Sequence, residues 1–158
     1  MIEDCIAELS CEYERRGLAL IAQELPEDIH ISIDPLLFRR VIINIFENSV
    51  KYKTAGKGQM SLGAARKTEM AEITFTDNGP GVPPDSIEKL FDIFYRADLS
   101  RNNAVRPGER TGSGLGLAIS AKIIAKMNGT IHAELPAAGG LAVVIRLPLV
   151  EKETNYGK

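Results

Sequence analysis

Three groups of residues in this chain have the types and spacing to handle a phosphorylated ligand. The first is Asn44, Asn48 and Lys51, within the run DPLLFRRVIINIFENSVKY from Asp34 to Tyr52. At about 100° per residue these three fall on one stripe of a helix, with Tyr52 at the boundary between that stripe and the apolar side. Amide oxygens beside an ammonium suit a hydrated cation that carries phosphate oxygens. Read alone, the stripe is the ordinary polar edge of an exposed helix, and only what lies downstream overturns that reading. The second group is DNGPGVPP, Asp77 to Pro84, in which a carboxylate at a strand end is followed by Gly79 and Gly81. Glycines there let the backbone approach a flat ligand closely, and the carboxylate can accept from an exocyclic amine; a simple turn aspartate with turn glycines has the same pattern. The third is TGSGLGL, Thr111 to Leu117, whose alternate glycines Gly112, Gly114 and Gly116 precede a helix. Backbone N–H groups and the positive end of that helix are open to an anion. The spacing is neither a P-loop nor a dinucleotide fingerprint, because Leu117 stands at the third glycine position of the latter.

These groups need elements to hold them. Asp34 and Pro35 are two successive helix-start signals, and Phe38, Val41, Ile42, Ile45 and Ser49 form the inward side of the helix they begin. Before it, Ile2, Ile6, Leu9 and Tyr13 recur at helical spacing with a stop at Gly17, and Leu18–Ile21 and Ile29–Ile33 read as two short strands. After a turn-rich break from Lys53 to Gly58, residues 60–64 and 71–75 alternate as a hairpin about the turn at Arg66 to Glu69. A short helix is expected from Asp85 to about Phe94, then a long loop from Arg96 to Thr111 where apolar periodicity disappears. The last elements are a helix with Leu117, Ile119, Ile123, Ile124 and Met127, stopped at Asn128-Gly129, and a hairpin of Thr130–Leu135 with Leu141–Leu147. One domain over residues 1–150 is expected, with a frayed tail over 151–158.

Composition narrows the partners. A formal net charge of -2 gives no general attraction to nucleic acid or an anionic membrane. Cys5 and Cys11 lack a second pair or a nearby histidine cluster, so neither zinc nor a disulfide framework is suggested and a reducing compartment fits. No apolar run is long enough to span a bilayer and no leader pattern is present, so a cytoplasmic location is expected, whether or not a longer parent is anchored in a membrane.

Taken in order, the amide and lysine helix edge, the strand-end DxGxG, a segment with paired phenylalanines, a basic loop and GxGLGL resemble the catalytic and ATP-binding domain of sensor histidine kinases, in the GHKL superfamily that also holds gyrase, a heat-shock chaperone and the mismatch-repair ATPases. The resemblance covers roughly Ile2 to Pro148. Its N box is matched by NIFENSVKY, Asn44 to Tyr52, and its first glycine box by DNGPGV, Asp77 to Val82. Its F box is matched by LFDIFYR, Leu90 to Arg96, and its second glycine box by TGSGLGL, which includes Ser113 and Leu115. The resemblance implies an α/β two-layer sandwich, the Bergerat ATP-binding fold, with a mixed sheet, helices on one face and an ATP lid loop.

It also implies residue roles. Asn48 would bind Mg2+ with Asn44 assisting, Lys51 would meet phosphates, Tyr52 would pack on adenine, and Asp77 would accept from its amino group. Gly79, Gly81 and Val82, with Thr111 to Leu117, would complete the nucleotide site. Tyr95 and Arg96 would open the lid, with Arg96 able to approach the terminal phosphates. Ser49 stands where the family usually has alanine, a change expected to be tolerated. The implied function is binding of Mg-ATP and donation of the γ-phosphoryl group to a histidine on a separate helical dimerisation and phosphoacceptor domain, with a response regulator served indirectly and no direct contact with nucleic acid or membrane. His30 and His132, the only histidines, lie outside any acceptor motif. Glu47 is a candidate general base; an acidic residue beside the acceptor histidine is another, and Glu47 is then a solvated helix residue. Two other readings remain at this point: a gyrase-type ATPase driving dimer closure, and a non-catalytic nucleotide-binding scaffold.

Overall fold

A computed structural model describes residues 2–23, 25–53, 56–95 and 114–151. Asp34 caps the central helix as its sequence predicts: its Oδ1 accepts from the N–H groups of Leu36 and Leu37 at 2.9 and 3.1 Å, and Pro35 occupies the first turn. The helix it starts, α2 (Pro35–Tyr52), follows α1 (Ile2–Arg15) and β1 (Leu18–Ala22) and buries Phe38, Val41, Ile42, Ile45, Phe46 and Ser49. Next come β2 (Gly58–Lys67) and β3 (Met70–Asp77), joined by the tight turn Thr68-Glu69, and then α3 (Gly116–Lys126), β4 (Thr130–Glu134) and β5 (Ala142–Pro148).

The strands form one mixed sheet in the order β1-β2-β3-β5-β4. β1 runs parallel to β2, which the intervening helix α2 makes possible, and all other neighbours are antiparallel. Alternation sorts the sheet's faces. Ile73 and Phe75 of β3, Val143 and Ile145 of β5, and Met60 and Leu62 of β2 join Leu9, Tyr13, Phe46 and Ile124 of the helices in a single core. The opposite face carries Ser61, Thr74, Thr76 and the Arg146–Glu72 ion pair at 2.8 Å. The expected two-layer α/β sandwich is thus the observed one. Edge-to-face contacts from Tyr13 to Phe46 (4.9 Å between centroids) and from Phe46 to Phe75 (6.2 Å) run from α1 through α2 to β3. Each such contact is worth about 0.5–1.5 kcal/mol beyond burial, and together they resist rotation of α2 about its axis.

Two expected elements differ. Residues 29–33 make only an isolated bridge, Ile31 with Leu149, because the segment meets β5 beyond its last paired residue. The alternation still carries information, since Ile31 and Ile33 pack against the core. The helix expected from Asp85 to about Phe94 is a 3-10 helix over Pro84–Phe91. Phe94 then takes φ +62°, a left-handed conformation that no helix can continue through. The loop expected from Arg96 to Thr111 and the tail from Lys152 lie outside the described residues.

Candidate functional site

Asn44, the first residue of the helix edge predicted from periodicity, is packed against the start of α3. Asn44 Nδ2 donates to the Gly116 carbonyl at 2.9 Å and to Ser120 Oγ at 3.1 Å, and Ser120 Oγ itself donates to the Gly116 carbonyl at 2.9 Å. Since a carbonyl only accepts, the amino end of the Asn44 amide must face α3, and its oxygen is the end left for other partners. One turn further along, Asn48 is half-buried, and among the described residues no side-chain hydrogen bond engages its amide. Lys51 is exposed and its Nζ sits 4.9 Å from the centre of the Tyr52 ring. The two amide oxygens are hard donors without a fixed carboxylate cage, which fits Mg2+ held largely by water and phosphate.

Among the described residues, no side chain caps the start of α3 at Leu115, so the first N–H groups of α3 keep their donors. Gly116 opens the helix beside Asn44, Leu117 is buried beneath it, and Gly114 lies against the backbone of Phe94 and Tyr95. Tyr95 donates its hydroxyl to Ser86 Oγ at 2.8 Å, which fastens the end of the F-box segment to the 3-10 helix. Arg96, Thr111, Gly112 and Ser113, all expected at the site, lie outside the described residues.

Asp77 is the most tightly determined side chain of the group. Oδ1 accepts from Gly79 N at 3.0 Å and Leu141 N at 3.1 Å, and Oδ2 accepts from Ser49 Oγ at 2.9 Å. The backbone repeats the contact, with Asp77 N donating to the Leu141 carbonyl at 3.0 Å. Gly140 makes this approach possible: it has φ +83°, and a Cβ there would overlap the Asp77 carbonyl oxygen. Gly81, at φ +70°, faces the Gly140 carbonyl, which a Cβ would meet at 2.8 Å. Gly79 lies by the Tyr52 carbonyl and Val82 packs against the core, so the first glycine box abuts the end of α2.

Sequence reasoning did not find Ser49, Gly140, Leu141 or Ser120 as supports. Only the unusual buried serine at 49 carried a signal. Nor did it find the clamp on Glu47, whose Oε1 accepts from Tyr13 Oη at 2.7 Å and from Arg16 Nη1, and whose Oε2 accepts from Arg16 Nη2 at 2.9 Å. The Arg16 guanidinium also lies 4.8 Å from the centre of the Tyr13 ring. The hydrogen bonds from Arg16, more than that from Tyr13, hold the Glu47 carboxyl below its ordinary range, and burial together with Glu47 pushes the Tyr13 phenol up. Of the histidines, His132 lies on β4 with Nε2 2.9 Å from Glu134 Oε1, and the backbone carbonyl of His30 accepts from Val150 N.

A mixed sheet backed by helices, with Asn44 set against the start of α3 and a fixed carboxylate at the end of β3, defines the molecule as an α/β sandwich. Over residues 33–151 the chain matches the family described as histidine kinase-, DNA gyrase B- and HSP90-like ATPase, and it belongs to that family. It is 37% identical over 137 residues to the signal transduction histidine-protein kinase BaeS of Escherichia coli K12, covering 87% of this chain and 28% of BaeS. To the sensor histidine kinase WalK of Bacillus subtilis 168 it is 32% identical over 135 residues, covering 84% of this chain and 21% of WalK. The chain thus spans less than a third of these relatives' own length. Among solved structures it resembles the mycobacterial sensor histidine kinase MprB, with a TM-score of 0.76, 26% identity, and coverage of 96% of this chain and 97% of that one.

Proposed function

We propose that this chain is the nucleotide-binding catalytic domain of a sensor histidine kinase, which binds Mg-ATP and presents its γ-phosphoryl group to a histidine on a helical dimerisation and phosphoacceptor domain. The bond from Asn44 to the Gly116 carbonyl carries the reading, because it sets the first residue of the amide and lysine edge of α2 directly against the start of α3. Phosphates bound there meet Lys51 on one side and backbone N–H groups on the other, while Asp77 accepts from the amine of the base and Tyr52 flanks the ring.

Asn48, with Asn44 assisting, would hold Mg2+ through amide oxygen, and that ion would offset the charge of the phosphates. The chain's own contribution is then positioning and electrostatics: the acceptor nitrogen forms the new bond to phosphorus as the bond to the ADP oxygen breaks. Arg96 is read as approaching the terminal phosphates. Glu47 is engaged by Arg16 and Tyr13 and held ionised by them, which supports the alternative proton acceptor, an acidic residue beside the acceptor histidine. Glu47 itself ties α2 to α1. A cytoplasmic location fits this role, and no helix among the described residues is long and apolar enough to cross a membrane.

Radiolabelled ATP tests the reading. The isolated chain should acquire no acid-labile label on His30 or His132, whereas the matching acceptor domain, supplied as a separate polypeptide, should be labelled slowly for want of a tether. Failure to label that domain would favour the scaffold reading, and rapid release of phosphate without transfer would favour a gyrase-type ATPase.

A further inference from the structure

Ser49 faces inward from α2 with 5% of its surface exposed, and its hydroxyl donates to Asp77 Oδ2. Among the described residues, the other serine buried in an α-helix, Ser120 on α3, donates to the carbonyl one turn earlier, which is the ordinary resource of a helical serine. Ser49 donates across the site instead, to a residue on a strand end.

The acceptor capacity of Asp77 shows what this bond does. A carboxylate oxygen has two lone-pair sites. Gly79 N and Leu141 N take both on Oδ1, and Ser49 takes one of the two on Oδ2. We propose that Ser49 is a specificity-determining positioning residue for this site: it leaves Asp77 one open acceptor direction and so makes the site select a purine with an exocyclic amine over one with a carbonyl at that position. The proposal rests on the reading of Asp77 as the partner of the base.

The hydroxyl acts on the wrong base as well as the right one. While its proton lies on Asp77, Ser49 turns only lone pairs to its surroundings, so a ligand carbonyl meets acceptors on both side chains. Rotating the hydroxyl to donate to that carbonyl breaks the bond to Asp77. With alanine at 49, Oδ2 regains a second open site that water fills, and that water can donate to a carbonyl. Selectivity relaxes even though Asp77 and its two backbone donors stay in place.

Calorimetric titration of the chain with Mg-ATP and with Mg-GTP tests this, with thermal melting to confirm that Ser49→Ala folds, as expected for a change that raises helix propensity. Wild type should prefer ATP. Ser49→Ala should cut the ATP-to-GTP affinity ratio roughly tenfold, and Ser49→Thr, which keeps the hydroxyl, should hold the ratio near that of wild type. If wild type shows no preference, the reading of Asp77 fails and the proposal with it. If wild type prefers ATP and Ser49→Ala leaves the ratio unchanged, because both affinities move together or not at all, the reading of Asp77 stands and the proposal is overturned.

Discussion

Asn44 and Asn48 stand one helical turn apart on α2, yet their surroundings divide the tasks between them. The amide N–H groups of Asn44 hold α3 through Gly116 and Ser120, while among the described residues no side-chain hydrogen bond engages Asn48, the proposed Mg2+ ligand. Asn48→Ala should weaken Mg-dependent ATP binding by about tenfold or more while leaving the fold intact, because alanine is a better helix former and no side-chain hydrogen bond among the described residues is lost. Calorimetry with and without a chelator checks it, and an unchanged Mg-dependent affinity would remove Asn48 from the site. This stripe was legible in the sequence because helical periodicity is a local property. The supports of Asp77 were not, since Ser49 and Leu141 reach it from 28 and 64 residues away.

At the scale of elements, α1 and α2 are joined by the Tyr13–Glu47–Arg16 cluster. Hydrogen bonds from Arg16 and Tyr13 lower the Glu47 pKa in the folded chain. A depressed carboxylate contributes stability above its unfolded value, near about 4.3, and loses that contribution as pH falls through the folded value. Between about pH 5 and 3 the urea midpoint of wild type should therefore fall more steeply than that of Glu47→Gln, with parallel behaviour above that window. Denaturant melts at stepped pH provide the measurement. The difference should be small, because both side chains are more than a third exposed. Element type was legible wherever caps and period agreed, as at Asp34-Pro35. It was not legible at residues 29–33 and 84–94, where the alternation or the helical start signal was present but the partner strand had ended, or a left-handed residue intervened.

Across the whole molecule, β3 is the central strand, and its two seams differ in span. The β2–β3 seam closes through a tight turn, whereas the β3–β5 seam joins residues on the order of seventy positions apart. Closing that long loop is entropically costly and brings no reward until the strands meet, so the seam is expected to form late in folding. Asp77 and Leu141 clasp each other at its end, which means the acceptor carboxylate takes its shape only when the chain is nearly native. Nucleotide should accordingly act as a brake on unfolding and not as a template for folding. In stopped-flow experiments Mg-ATP should leave the refolding arm unchanged and slow the unfolding arm, whereas faster refolding would mean that the clasp already exists in the transition state.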